Sequence, residues 1–222
     1  MRWNRRGVRR AATVNPAALG EFVDDFSATN NPLGAPWTNS LPGLLDFEDL
    51  RSSGGVCFGT VASDTGFPDC YAFHASYSGD YEIEAGIFRA SDVNAGINHE
   101  VELHVGMRHS GGHLFSCEWL VNVGGSWQCM EWDTQFNAPN FFEELFPTGA
   151  GSVGAPADGD RILFRKIGSA GTMHYKQGAG AFAQRWAVTL PFATGSPGLA
   201  TFTRGGGDPA KFCFTDVIIR PL

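Results

Sequence analysis

The chain has 222 residues, 43% hydrophobic and 18% charged, which is typical of a folded protein rather than a disordered one. It contains no apolar run near the roughly 20 residues that a membrane-spanning helix needs, so we expect no membrane association. The formal net charge is −7. Because like charges repel, we expect the body of the chain not to bind nucleic acid.

Residues 1–20 are predicted to form an extended basic arm in front of a body at residues 21–222. The arm holds five arginines and no acidic residue: Arg2, Arg5, Arg6, Arg9 and Arg10. Trp3 lies among them, and a tryptophan in such a tail often anchors in a partner's pocket. We expect the arm to dock on a partner protein, and the alternative is a basic terminus without a partner.

The segment behind the arginines, residues 11–16, is not the apolar run of about 7–15 residues that a signal peptide contains. We therefore expect synthesis in a cytoplasm without export. The chain has five cysteines and no CxxC pair. Buried free thiols are the expectation in a reducing compartment, and a bridge between Cys117 and Cys129 is the alternative.

The body is predicted to be all-β, because short apolar stretches alternate with turn-forming residues. Residues 81–133 are predicted as four consecutive antiparallel strands. Every second residue is apolar in 81–87 and 101–107, so one face of the sheet is expected to be polar. That face would carry Glu82, Glu84, Glu102, His104 and Arg108.

The second half of the body continues this pattern after a long loop at residues 137–160. A loop of this length is typically functional or a packing lid. Strands are predicted at residues 161–167, 172–176 and 181–190. A total of ten to fourteen short strands indicates an antiparallel sandwich of two sheets.

Both ends of the body resemble a known family. Residues 21–37 contain an acidic-aromatic strand, a polar loop, a Leu-Gly pair and Trp37, and residues 196–202 and 212–219 read as a closing pair of strands. These features resemble the concanavalin-like (laminin-G-like) jelly-roll domains of bacteriophage minor tail and capsid-surface proteins. The resemblance covers residues 21–222 and implies a jelly roll in which the last strand pairs beside the first.

The resemblance also implies a function. It indicates a virion structural protein, either a minor tail component or a capsid decoration protein, present in multiple copies or as a homo-oligomer. Its partners would be other virion proteins bound through the arm. Host adhesion through a surface polysaccharide is the further expectation.

Mixed aromatic and polar residues in the central block predict a glycan-binding face. Aromatic rings stack on sugar rings, and polar side chains bond to sugar hydroxyls. The predicted site consists of Glu102, His104, Arg108, Glu118, Trp127, Glu131 and Asp133. The alternative is that the tryptophans belong to the core.

Glu131 and Asp133 share one face of a predicted strand, similar to the Glu-x-Asp motif of jelly-roll β-glucanases. The position where those enzymes place a second glutamate holds Gln135, which cannot act as a general acid. We therefore predict no catalytic residues and no enzyme. The alternative is a glucanase-like or lyase-like enzyme that uses Glu131 and Asp133.

Histidines are dense in the central block, and they are metal-ligand types together with Glu102 and Glu118. They are His99, His104, His109 and His113. His104 and His109 would point to opposite faces of a regular strand, so a metal site that used both would need a bulge. We therefore predict no metal site. No cofactor is predicted either, although Asp24, Asp25, Asp158 and Asp160 could supply oxygens to a structural calcium ion.

Overall fold

A computed structural model of the protein describes residues 19–39, 48–60, 69–110, 113–134, 142–151 and 154–222. These residues form 17 strands in two sheets and one short 3₁₀ helix, Pro209–Lys211. In this part of the chain no helix has the length and apolar character to cross a membrane. The arm's five arginines and Trp3 lie outside the described residues. Leu19 packs against the core, and Gly20 accepts a hydrogen bond from the hydroxyl of Tyr77.

The nine-stranded sheet consists of β1 (Phe22–Asp24), β4 (Arg51–Ser53), β5 (Val56–Phe58), β7 (Tyr81–Arg89), β12 (Thr148–Gly149), β13 (Arg161–Ile167), β14 (Ala170–Lys176), β15 (Ala183–Thr189) and β17 (Phe212–Pro221). The eight-stranded sheet consists of β2 (Thr38–Asn39), β3 (Glu48–Asp49), β6 (Cys70–Phe73), β8 (His99–Ser110), β9 (His113–Asn122), β10 (Trp127–Asp133), β11 (Phe142–Glu144) and β16 (Ser196–Thr203).

The strand order in the first sheet is β12-β15-β14-β13-β7-β17-β5-β4, with β1 also paired to β17. The order in the second sheet is β11-β10-β9-β8-β16-β6-β2, with β3 beside β6. Every pairing is antiparallel except that of β3 with β6. The predicted pairing of the first and last strands is confirmed by the register of Phe22 opposite Ile219.

A single hydrophobic core fills the space between the sheets. Alternation sends Ile83 and Ile87 of β7 and Leu103 and Val105 of β8 into the same buried cluster. The two-sheet antiparallel sandwich predicted from the sequence is therefore confirmed. The structure has more strands than the ten to fourteen expected, because β2, β3, β11 and β12 are only two or three residues long.

The prediction of four consecutive neighbouring strands in residues 81–133 is wrong for the first of them. β8, β9 and β10 are successive neighbours, but β7 lies in the other sheet between β13 and β17. Residues 90–98 connect β7 to β8, and this connection is long enough to cross the sandwich. Glu82 and Glu84 consequently lie on the outer face of the nine-stranded sheet, not beside Glu102.

A bulge in β8 reverses the direction of its last side chains. Val105 lies opposite Cys117 and Arg108 opposite Phe115, so β8 has one extra residue here. Gly106 has a φ of +69°, and a Cβ at this position would overlap the ring of Phe192. Only glycine fits, so the bulge is fixed by packing.

The bulge overturns the predicted placement of two residues. Arg108 was expected beside His104 on the polar face, but its guanidinium lies on the opposite side, 5.0 Å from the ring centre of Phe115 and 4.8 Å from that of Phe192. Met107 was expected in the core between the sheets, but it packs in a separate cluster with Tyr71 on the outer face.

All five cysteines are described, and all are buried and free, as predicted. The sulfurs of Cys117 and Cys129 are 3.7 Å apart, well beyond the roughly 2.05 Å of a disulfide bond. The two residues are not directly opposite each other, because Cys129 pairs with Trp119.

Candidate functional site

The outer face of the eight-stranded sheet carries polar side chains on three neighbouring strands. The odd-numbered residues of β8 before the bulge and of β9 face the core, so the even-numbered ones face outward. The outward residues are Glu100, Glu102 and His104 on β8, Ser116, Glu118 and Leu120 on β9, and Gln128, Met130 and Trp132 on β10. His104 lies opposite Glu118, and Glu118 lies opposite Met130.

A pocket of about 210 Å³ opens on this face. Its lining consists of Asp69, Asn98, Glu100, Glu102, Glu118, Leu120, Gln128, Met130, Trp132 and Phe202. We call it the acidic pocket, after its four carboxyl side chains. Asp69, Glu102 and Glu118 are buried, and Glu100 is partly buried. The amides Asn98 and Gln128 and four apolar or aromatic side chains form the remaining wall.

His104 is fully buried beside the acidic pocket, and its ring is held from three sides. Nε2 is 3.1 Å from an oxygen of Glu102 and 3.9 Å from Oε2 of Glu118. Nδ1 forms a 2.8 Å hydrogen bond with the hydroxyl of Ser116. The ring edge meets Trp132 with 4.6 Å between centroids. The imidazole therefore has a fixed orientation, with Nε2 directed at two carboxyl groups.

The carboxyl groups of the acidic pocket crowd one another. Burial, followed by the charge of Glu102, raises the pKa of Asp69 and of Glu118 well above the usual range. The same two causes raise the pKa of Glu100 to about 7, although hydrogen bonds from Asn98 and the charge of Arg204 oppose the shift.

No lysine or arginine is among the described residues that line the acidic pocket. Across the described ranges, no ion pair joins any of its four carboxyl groups to a lysine or arginine. Buried carboxyls without such partners are costly to the fold. They are suited to bind hydroxyl groups or a cation brought by a ligand.

The remaining predicted site residues lie away from the acidic pocket. Glu131 is opposite Cys117, whose side chain points into the core, and Asp133 follows on the same side of β10. Burial, then Glu143 and Asp133, raise the pKa of Glu131, while the charge of Arg108 lowers it. Arg108, Glu131 and Asp133 thus form a group of their own.

Trp127 lies in a second groove, which we call the tryptophan groove. Its ring is 5.5 Å from that of Trp119 and 5.9 Å from that of Trp186, and the groove has a volume of about 460 Å³. The Nε1–H of Trp127 donates to the carbonyl of Gly154. The sheet therefore divides the face that was predicted as one site. Glu102, His104 and Glu118 are on one side, and Arg108, Trp127, Glu131 and Asp133 are on the other.

Sequence reasoning omitted two acids from the predicted site, Asp69 and Glu100. Glu100 could have been included, because it continues the alternation of Glu102 and His104. Asp69 precedes β6, which reaches the site only because β16 lies between β6 and β8. Nothing in the local sequence indicates that neighbour relation.

The other histidines of the central block do not join His104. His109 Nε2 is 3.0 Å from the hydroxyl of Tyr71, and His113 Nδ1 is 3.2 Å from the carbonyl of Thr134. His99 is buried beside Thr203. The density of histidines in the sequence thus reflects separate structural positions.

Two of the aspartates considered for calcium form hydrogen bonds within the sandwich. Asp24 accepts from the backbone N–H of Phe26 and from Nε1–H of Trp37. Asp160 accepts from the hydroxyl of Tyr175 and from backbone N–H groups at 157 and 178. These carboxylates stabilise turns, and calcium binding there stays a prediction.

No family model and no curated protein matches the chain. Solved structures do match it in fold. An endo-acting O-glycanase of human gut bacteria, described as initiating mucin breakdown, has 13% identity and a TM-score of 0.56, with 90% of this chain and 98% of that chain covered.

Two further structures have similar scores. The exoplasmic/lumenal domain of VIP36, with Ca²⁺ and Man2 bound, has 8% identity and a TM-score of 0.52 over 91% of this chain and 87% of that chain. The β-porphyranase BpGH16B of Bacteroides plebeius has 10% identity and a TM-score of 0.50 over 91% and 94%. At these identities the likeness shows the fold alone, and the fold is the concanavalin-like jelly roll that the sequence predicted.

Proposed function

We propose that the protein is a glycan-binding component of a bacteriophage virion and that the acidic pocket binds a sugar unit of a host-surface polysaccharide. The observation that carries the proposal is the pocket's composition. Its carboxyl groups can form hydrogen bonds with sugar hydroxyls, and Leu120, Met130 and Phe202 offer apolar contact to the ring. A volume of about 210 Å³ suits a single sugar ring rather than a drug-sized ligand of roughly 300–1,000 Å³.

The fold is compatible with this role. The O-glycanase and the Man2-bound VIP36 domain are named for activity on, or binding to, glycans. Because their likeness to this chain is in fold only, the proposal rests on the pocket and not on the neighbours.

The virion assignment is supported by the charge distribution. The arm carries a charge of +5 and the body a charge of −12, which together give the net charge of −7. A basic arm with Trp3 suits docking on an acidic surface of another virion protein. Multiple copies on one particle would add weak sugar contacts into strong adhesion.

We further propose binding without cleavage. Glu131 and Asp133, the acids of the enzyme alternative, lie on the side of the sheet opposite the acidic pocket. Within the pocket, one carboxylate oxygen of Glu102 lies within 4.8 Å of one carboxylate oxygen of Glu118. Retaining glycosidases keep their carboxyl groups about 5–5.5 Å apart and inverting enzymes keep them farther apart.

The test is retention of the purified protein on a panel of bacterial cell-surface polysaccharides, with new reducing ends measured in parallel. We expect retention without new reducing ends. Glu100→Gln should weaken binding roughly tenfold, because one charged acceptor is lost, and the control Glu131→Gln should bind normally. Reducing ends that disappear in Glu131→Gln would establish the enzyme alternative instead.

A separate test addresses the virion assignment. Residues 1–18 are deleted in the phage that encodes the chain, because Leu19 and Gly20 already contact the body. We expect purified particles to contain the full chain in multiple copies and to lack the truncated one. Full incorporation of the truncated chain would contradict attachment through the arm.

A further inference from the structure

Three ligand atoms converge beside the acidic pocket, two of them on residues that line it. Nε2 of His104 and one carboxylate oxygen each of Glu102 and Glu118 lie within 4.8 Å of one another. Atoms that bind one ion at roughly 2.0–2.2 Å lie about 3–4 Å apart. The separations of 3.1 Å and 3.9 Å from Nε2 to the two carboxylates fall in that range.

One of these atoms has no hydrogen-bond partner. Oε2 of Glu118 is buried, and it is the oxygen that faces Nε2 of His104. Glu118 itself is only 2% exposed. A buried carboxylate oxygen without a hydrogen bond costs stability, so its position needs a compensating ligand.

The second shell fits a metal ligand. The hydroxyl of Ser116 is hydrogen-bonded to Nδ1 of His104 and holds the ring with Nε2 directed at the carboxylates, where Nε2 is 3.1 Å from Glu102. A metal ion at this position would take the place of the proton between Nε2 and Glu102. The packing of Trp132 against the ring prevents its rotation. Metal-binding histidines are typically held by such a hydrogen bond on the other ring nitrogen.

We propose that Glu102, His104 and Glu118 bind a divalent transition-metal ion, such as Zn²⁺, beside the acidic pocket. One imidazole with two carboxylates is a mixed donor set that favours such an ion over Ca²⁺, which prefers oxygen ligands alone. The ion would supply the positive charge that no lysine or arginine supplies to these carboxyls within the described residues.

The proposed site differs from the histidine cluster considered in the sequence, because it needs only His104 and not the neighbouring histidines. Three protein ligands leave at least one coordination position for a further ligand, as in catalytic zinc sites. A hydroxyl group of a bound sugar could take that position. The metal site nevertheless stands without the glycan proposal, because the ligand geometry alone carries it.

The test uses the untagged full-length protein, freed of metal with EDTA and titrated with Zn²⁺, Co²⁺ and Ca²⁺ in the absence of polysaccharide. We expect one Zn²⁺ or Co²⁺ per chain, a visible Co²⁺ spectrum, and much weaker binding of Ca²⁺. Glu118→Gln and His104→Gln should each weaken Zn²⁺ binding at least tenfold. The controls Glu131→Gln and His109→Gln, on the same sheet, should bind as the original protein does.

Circular dichroism of each variant establishes that it is folded. If His104→Gln does not fold, the near-isosteric Glu118→Gln decides the outcome together with Ser116→Ala, which should weaken binding by about 10–100-fold. Unchanged Zn²⁺ affinity in folded Glu118→Gln, or preference for Ca²⁺, would overturn the proposal. Polysaccharide retention is measured with and without EDTA, so that the two proposals are tested separately. Metal binding without retention would contradict the glycan role alone.

Discussion

The outer faces of the two sheets both carry acidic side chains, but these side chains have different partners. On the nine-stranded sheet, Arg161 bonds to Glu84 and in bidentate fashion to Asp216, and Arg220 bonds to Glu82 and Glu84. On the eight-stranded sheet, the four carboxyls of the acidic pocket have no arginine or lysine partner among the described residues. The acids of one face are in ion pairs with arginines, and those of the other face form no ion pair with an arginine or lysine in the described part of the chain.

The strand order explains the difference. β7 lies between β13 and β17, and these strands place Arg165 and Arg220 opposite Glu82. β8 lies between β9 and β16, which place Leu120 and Ala200 opposite Glu102. The same alternation thus produces an ion-pair network on one face and an uncompensated pocket on the other.

The largest expected effect comes from removing an arginine from the ion-pair network on the nine-stranded sheet. Arg161→Met removes the arginine that bonds to Asp216 and one of the two that bond to Glu84, and we expect the free energy of unfolding to fall by about 3 kcal/mol. Urea denaturation at pH 7 measures this loss. A change below about 0.5 kcal/mol would mean that the network contributes little and that the two faces are alike.

A slightly smaller effect on stability is expected from supplying a cation to the carboxyl groups on the eight-stranded sheet. Zn²⁺ at one hundred times its dissociation constant should raise the free energy of unfolding by about 2.7 kcal/mol. Thermal unfolding with and without Zn²⁺ measures the gain. The control Glu131→Gln should keep it, and Glu118→Gln should lose it. An equal gain in both variants would place the ion elsewhere.

The smallest effect is expected at the acids opposite the acidic pocket. Glu131 is partly exposed and belongs to neither outer-face group. Glu131→Gln should change stability by less than about 0.5 kcal/mol, as surface substitutions usually do. Urea denaturation of this variant provides the baseline for the others. A loss near that of Arg161→Met would show a structural role that the geometry does not indicate.

The sequence predicted part of this arrangement and could not have predicted the rest. Alternation placed Glu102, His104 and Glu118 on one face, because it depends only on local strand geometry. It failed at Arg108, because the bulge at Gly106 is set by Phe192, which is distant in sequence. It also failed at Asp69, whose position depends on the order of strands across the sheet.

The surroundings of the acidic residues on both sheets also depend on long-range pairing. The arginines that bond to Glu82 and Glu84 are visible in the sequence, but the register of their strands with β7 is decided by long-range pairing. For the same reason, the absence of a counter-charge near Glu118 among the described residues could be established only from the structure. Resemblance to a jelly-roll family predicted the fold without indicating either face.

The most direct test compares one glutamate from each outer face in metal-free protein at pH 7. Glu84→Gln should lower the free energy of unfolding by about 1–2 kcal/mol, because Arg161 and Arg220 lose a charged partner. Glu118→Gln should raise it by about 1 kcal/mol, because the amide removes the cost of burying an uncompensated carboxyl group. Opposite signs would support the account, and an equal loss of stability in both variants would contradict it.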